Sequence, residues 1–298
     1  MSAAPNIQLR PFAVKRLLCV GKHVDETLLR NALEPGTWAL ERAPDNATAL
    51  ALAQKKPFDL IVTSEHTSSK EDIELLRKIR RIRPHTRLII LTDESTPEDV
   101  ITAMRERAFS YFSKPYSPNM LASMIRTAMA QPCWDDGIEV VSATPEWVRL
   151  RARCDLDTAD RVLHFLDEIS DLPDPERTNV GMAFREMLLN AIEHGARMNP
   201  EKYVDIGYVR ARHMVTCRIT DPGEGFAIDD IPHSAVANPP DDPVHHLKYR
   251  EALGMRPGGF GVLLTRHLVD ELIYNQNGND VLLIKYLDTP PDPTEQSA

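Results

Sequence analysis

Asp221-Pro-Gly-Glu-Gly-Phe226 stands at the exit of a predicted strand, and its reading decides the fold of the second half of the chain. Val215, Cys217, Ile219 and Asp221 share parity, so a strand through them sends all four side chains to one face. The carboxylate therefore continues an apolar row and needs a donor, because an unpaired buried charge costs several kcal/mol or shifts its pKa. Gly223 and Gly225 allow a turn, and they also allow another group to approach the backbone closely.

Upstream, Glu186, Asn190 and His194 recur at four-residue steps on a predicted helix, which keeps them on one stripe. Met187, Leu188, Leu189, Ala191 and Ile192 surround them, so the stripe is either a narrow strip of surface or the wall of a cavity. His194 also suits a plain helix-end cation before Gly195. Downstream, Gly258-Gly-Phe-Gly261 opens a helix backed by Val262, Leu263 and Leu264, and such a start points unpaired N–H groups towards an anion. Together the three segments describe a nucleotide site.

Around this site the predicted order is strand, two helices, hairpin, long loop, helix and final hairpin, an α+β unit. Val148, Leu150, Ala152 and Cys154 alternate with Trp147, Arg149, Arg151 and Arg153, the period of a half-buried strand. Phe226 to Gly258 carries Pro232, Pro239, Pro240, Pro243 and Pro257 and reads as a lid, with Lys248, Arg250 and Arg256 available to phosphates. His233, His245 and His246 lack the partners of a metal site.

The first half has a different pattern. RLLCV, WALERA, DLIVTS, RLIILTD and SYFSKP alternate with amphipathic stretches from Lys15 to about Met129, predicting a doubly wound (βα)5 unit with a parallel sheet buried on both faces. The expected organisation is a regulatory domain over 1–130, a linker over 131–142, a nucleotide-binding domain over 143–287 and a disordered tail over 288–298.

The chain has 298 residues and a formal net charge of -9, which argues against a nucleic-acid footprint. It shows no signal-peptide core and no segment of membrane-spanning length, so the expected location is cytoplasmic, without a membrane partner. Cys19, Cys133, Cys154 and Cys217 have no zinc spacing, and no redox role is expected of them.

Glu186-Met-Leu-Leu-Asn190-Ala-Ile-Glu-His194-Gly resembles the N box of the GHKL ATPases, and in particular of their anti-sigma-factor serine/threonine kinases. Asp221 to Phe226 resembles their first glycine box, and Gly258 to Leu272 the second with its helix. The resemblance covers about residues 140–287 and implies an ATP-dependent kinase. Asn190 would coordinate Mg2+, Glu186 would act catalytically as general base or position the attacking group, Asp221 would read adenine, and Gly223, Gly225, Gly259 and Gly261 would line the nucleotide. Asn279 departs from the threonine that the family often has near adenine.

The implied partners are an STAS-domain antagonist as substrate, a sigma factor and a second copy of the chain. The alternative is a non-catalytic ATP-binding protein that sequesters a sigma factor or another partner. A histidine-kinase reading fails on His164, which lacks the surrounding phosphorylation motif.

Residues 14–130 resemble a two-component receiver domain, with Thr92 and Lys114-Pro115 matching its switch hydroxyl and lysine-proline element. Gly21 and Lys22 stand where the family has an acidic pair, and Ser64 where it has the phosphoacceptor. Glu65 and Asp93 lie near the strand ends and either substitute in part for those acids or, as is commoner, are surface turns. The resemblance then implies a docking or regulatory module that works without phosphorylation.

Overall fold

The computed structural model describes residues 14–21, 26–64, 67–130, 137–225 and 260–287. The lid over 226–258, the tail over 288–298, Lys22, Glu65, Cys133 and Gly259 lie outside them. The chain divides into two compact units, Met1–Asp135 and Asp136–Ala298.

The first unit is a five-stranded parallel sheet in the order β2-β1-β3-β4-β5. Its strands are β1 (Lys15–Val20), β2 (Trp38–Ala43), β3 (Leu60–Val62), β4 (Arg87–Thr92) and β5 (Ser110–Ser113). Its helices are α1 (Glu26–Ala32), α2 (Asn46–Lys55), α3 (Ser69–Ile82), α4 (Pro97–Arg105) and α5 (Pro118–Ala130). α1 packs on α5, while α2, α3 and α4 follow one another, which is doubly wound packing.

β3 and β4 are buried throughout, and β1 from Leu17 onward, because both sheet faces are covered, as the near-continuous apolar runs require. Local signals fix the helix ends. Asp45 caps α2 by accepting from Thr48 N at 2.7 Å, and Thr96 caps α4 ahead of Pro97. Ile73, Leu76 and Ile79 form the buried stripe of α3.

The second unit is a six-stranded antiparallel sheet in the order β10-β11-β9-β8-β7-β6. Its strands are β6 (Ile138–Thr144), β7 (Trp147–Arg153), β8 (Tyr203–Ala211), β9 (Met214–Thr220), β10 (Glu271–Tyr274) and β11 (Asp280–Tyr286). Its helices are α6 (Leu156–Ile169), α7 (Glu176–Asn190) and α8 (Gly261–Leu268), with a π turn at Ala191–Gly195 continuing α7.

Alternation puts Val148, Leu150, Ile206, Tyr208, Val215, Cys217, Ile219 and Leu283 on the buried face. α7 packs against both α6 and α8 and reaches β9 and β11. The apolar side of α7, with Val180, Ala183, Phe184, Met187 and Leu188, explains that position.

Two expectations are corrected. The linker does not extend to residue 142, because Ile138–Thr144 is an edge strand paired with β7. A register shift between Val140 and Ser142 breaks its alternation, which removes the signal a sequence reader needs. The even four-residue stripe also ends at Asn190, because the π turn carries His194 to an exposed position. No helix among the described residues is long and apolar enough to cross a membrane.

Candidate nucleotide site

The π turn forms the floor of the site. Ala196 N donates to Ala191 O at 2.8 Å, and Met198 N donates to Ile192 O at 2.9 Å. The widened turn presents Gly195 to the exit of β9. A Cβ added at Gly195 would lie 2.2 Å from Asp221 Oδ1, so no side chain fits between helix and carboxylate.

Asp221 is held by two hydrogen bonds. Its backbone N–H donates to Asn279 O at 2.9 Å, and its Oδ1 accepts from Gly223 N at 2.8 Å. Gly223 lies so close to Gly195 that an added Cβ would meet Gly195 O at 2.7 Å. Burial raises the Asp221 carboxyl above the usual carboxylate range, and the Gly223 N–H works against that rise. Among the described residues nothing donates to Oδ2.

The turn between β10 and β11 closes the other side. Asn279 Nδ2 donates to Gly223 O at 3.3 Å, while Asn279 N and Asn275 Nδ2 tie the turn to itself. Gly225 has φ +82°, and an added Cβ would strike Asn277 O. Only glycine meets both demands. Tyr274 Oη donates to Met187 Sδ at 3.2 Å, which fixes this hairpin against α7.

Glu186 and Asn190, both half-buried, face the start of α8. A Cβ on Gly261 would lie 2.8 Å from Glu186 Oε2 and 3.6 Å from Asn190 Nδ2. The helix's first residue, with its unpaired N–H groups, thus meets an acid and an amide on the same stripe. That arrangement can hold an anion beside a carboxylate.

The structure therefore brings Glu186, Asn190 and Gly261 into one cluster and Asp221, Gly223 and Gly225 into a second. The continuous α7 and π turn join them. Gly195, Asn277 and Asn279 complete the second cluster; the resemblance had set Asn279 near adenine, while Gly195 and Asn277 escaped the sequence reading as site-formers. Gly195 looked like a helix terminator, and Asn277 looked like part of an ordinary turn; close approach through space has no linear signature. Among the described residues, no group of three or more His, Cys, Asp or Glu side chains could hold a metal ion.

In the first unit, the ends of β1 and β3 meet tightly. Gly21 has φ +87°, and an added Cβ would lie 2.1 Å from Ser64 Oγ. Ser64 is buried, and so is Thr92, whose hydroxyl donates to Glu94 O at 2.8 Å. Lys114 Nζ pairs with Asp93 Oδ1 at 2.9 Å, so Asp93, which the sequence suggested was a plain turn residue, takes the lysine.

Comparisons with known proteins agree with this division. Residues 152–285 match the family described as a histidine kinase-like ATPase domain, and residues 22–126 match the response regulator receiver domain. Serine-protein kinase RsbW of Oceanobacillus iheyensis is 29% identical over 154 residues, covering 51% of this chain and 87% of that protein.

Transcriptional regulatory protein ZraR of Salmonella typhimurium is 24% identical over 144 residues, covering 48% of this chain and 31% of that regulator. A CheY-like receiver protein from Methanospirillum hungatei, 26% identical, aligns with TM-score 0.33 over 39% of this chain and 93% of its own. Chemotaxis protein CheY4 of Vibrio cholerae, 24% identical, aligns with TM-score 0.33 over 39% of this chain and 99% of its own. With its sheet orders and matched segments taken together, the first unit belongs to the response regulator receivers and the second to the histidine kinase-like ATPases.

Proposed function

We propose that the second unit is an ATP-dependent serine/threonine protein kinase of the anti-sigma type, acting on an STAS-domain antagonist in a partner switch. The observation that carries this reading is the first residue of α8 set against Glu186 and Asn190. It supplies an anion-favouring backbone, a carboxylate and an amide in one place. The likeness to RsbW, a serine-protein kinase, supports the same class.

In this reading Asp221 accepts the adenine amino group through Oδ2, since Oδ1 is engaged by Gly223. Gly223 and Gly225 let the nucleotide lie against the backbone, and Gly261, with Gly259, receives the phosphates. Asn190 suits Mg2+, a hard cation that takes one amide oxygen readily when phosphates and water supply the rest. The bound cation would neutralise phosphate charge.

Glu186 takes the proton of the incoming serine or threonine hydroxyl. That oxygen then bonds to the γ-phosphorus as the bond from phosphorus to the β-γ bridging oxygen breaks, and ADP departs with the electron pair. Water exclusion falls to the segment over 226–258, outside the described residues.

The first unit acts in this scheme as a docking or regulatory module without phosphoryl chemistry. Its two acidic positions are Gly21 and Lys22, and its acceptor position is Ser64.

The deciding experiment is incubation with labelled Mg-ATP and candidate STAS proteins, followed by phosphosite mapping. Glu186→Gln is expected to keep ATP affinity within about threefold and lower transfer by at least about 100-fold, the scale of a lost general base. Asn190→Ala is expected to weaken Mg-ATP binding in calorimetry. ATP binding with no serine or threonine labelling of any antagonist would favour the sequestering protein instead. Undiminished transfer by Glu186→Gln would remove the assigned base.

A further inference from the structure

The second unit contains a cavity that the nucleotide reading does not use. It lies between α6, α7 and the buried face of the sheet, and its volume is about 50 Å³. Leu163, Leu166, Leu172, Val180 and Phe184 form most of its wall. Tyr208 and Cys217, from the adjacent strands β8 and β9, form its sheet side. At the rim, Arg177 Nε donates to Asp167 Oδ1 at 2.7 Å, and the same guanidinium reaches Asp167 O at 3.0 Å.

Tyr208 is 3% exposed, and its hydroxyl makes no well-formed hydrogen bond, with the Ser170 side chain beside it. A buried hydroxyl without a good bond is costly, so this one gains by bonding with a polar group that enters. Ser170 stands on the same wall and accepts from Leu172 N at 3.4 Å. Burial pushes the Tyr208 phenol far up and the Cys217 thiol up to about 12, so both stay neutral. With Asp167 and Arg177 paired to each other, the cavity offers apolar surface, one phenol without a well-formed hydrogen bond and no unpaired charge.

We propose that this cavity is a binding site for a small neutral amphiphile of about four heavy atoms, an alcohol or carbonyl compound that hydrogen-bonds Tyr208 Oη. The size follows from the volume, which accommodates about four water-sized spheres. Water alone suits the space poorly. Each buried water needs two to four polar partners, and the walls supply little beyond Tyr208 and Ser170.

The occupant would touch the helix that carries the candidate phosphate site. At roughly 100° per residue, Phe184 points about 160° away from Glu186 around α7. The cavity and the Glu186–Asn190 stripe thus share one helix on opposite sides. The proposal itself stands independently of any nucleotide.

The test is a titration of the full chain with 2-propanol, followed by amide and methyl NMR. Saturable shifts centred on Leu163, Leu172, Val180 and Cys217 are expected. Tyr208→Phe removes one hydrogen bond and should weaken that saturable binding about fivefold. Cys217→Leu fills the space from the sheet and should abolish it.

Both variants are checked for native spectra first, and either one alone decides if the other fails to fold. Shifts that grow linearly without saturation, that centre elsewhere, or that are unaffected in a folded variant would overturn the assignment.

Discussion

Asp221 and Gly195 show what a single position can and cannot reveal. The parity of Val215, Cys217 and Ile219 placed the carboxylate on the buried side of β9, and the buried strand residues follow that parity. Gly195 carried no such mark, because its constraint comes from a residue 26 positions away in sequence, at 2.2 Å from its absent Cβ. Gly195→Ala is therefore expected to displace Asp221 and weaken ATP binding at least about tenfold in calorimetry, since even small shifts at a positioned contact are costly.

Asp72 offers a second test at this scale. It is fully buried, accepting from Asn46 Nδ2 at 2.8 Å and Thr67 Oγ1 at 2.7 Å. Burial nevertheless raises its carboxyl from 3.8 to about 6 against those hydrogen bonds. The folded state thus holds this proton more tightly than the unfolded one. Its contribution to stability is complete below about pH 4 and is lost as pH rises through about 6. Asp72→Asn should gain on the wild type between pH 4 and pH 7.5, by up to roughly 3 kcal/mol in chemical denaturation. A difference that stays flat across that range would contradict the shift.

Elements were legible where their period was unbroken. The five βα alternations, the stripe of α3 and the strand β7 all follow simple spacing, and all are present. β6 was lost to its register shift, and the π turn to a rule that assumes 3.6 residues per turn. Capping provides the test here. Asp155 caps α6 by accepting from Thr158 N at 2.7 Å and Thr158 Oγ1 at 2.9 Å, and it also accepts from Arg153 Nε at 2.7 Å. Asp155→Ala removes the cap and the Arg153 contact together, and urea unfolding of the second unit should show a loss of about 1–2 kcal/mol.

Across the whole molecule, the change of pattern between the halves announced two architectures, and the sheet orders are those of a doubly wound unit and an antiparallel one. The sequence also named the missing acids of the first unit. It could not show how that space is filled. Acetyl phosphate is expected to leave residues 1–135 unlabelled in intact-mass spectrometry, while the same reagent labels an ordinary receiver run in parallel.

The contact of Gly21 with Ser64 ties the two positions to each other. Any side chain restored at position 21 would need space now held by the serine, on a backbone whose φ of +87° disfavours L residues. Reinstating the aspartate at 64 alone would still leave no acidic pair beside it. An acceptor site engineered into this unit would therefore need positions 21 and 64 changed together, with the backbone between them made to give way.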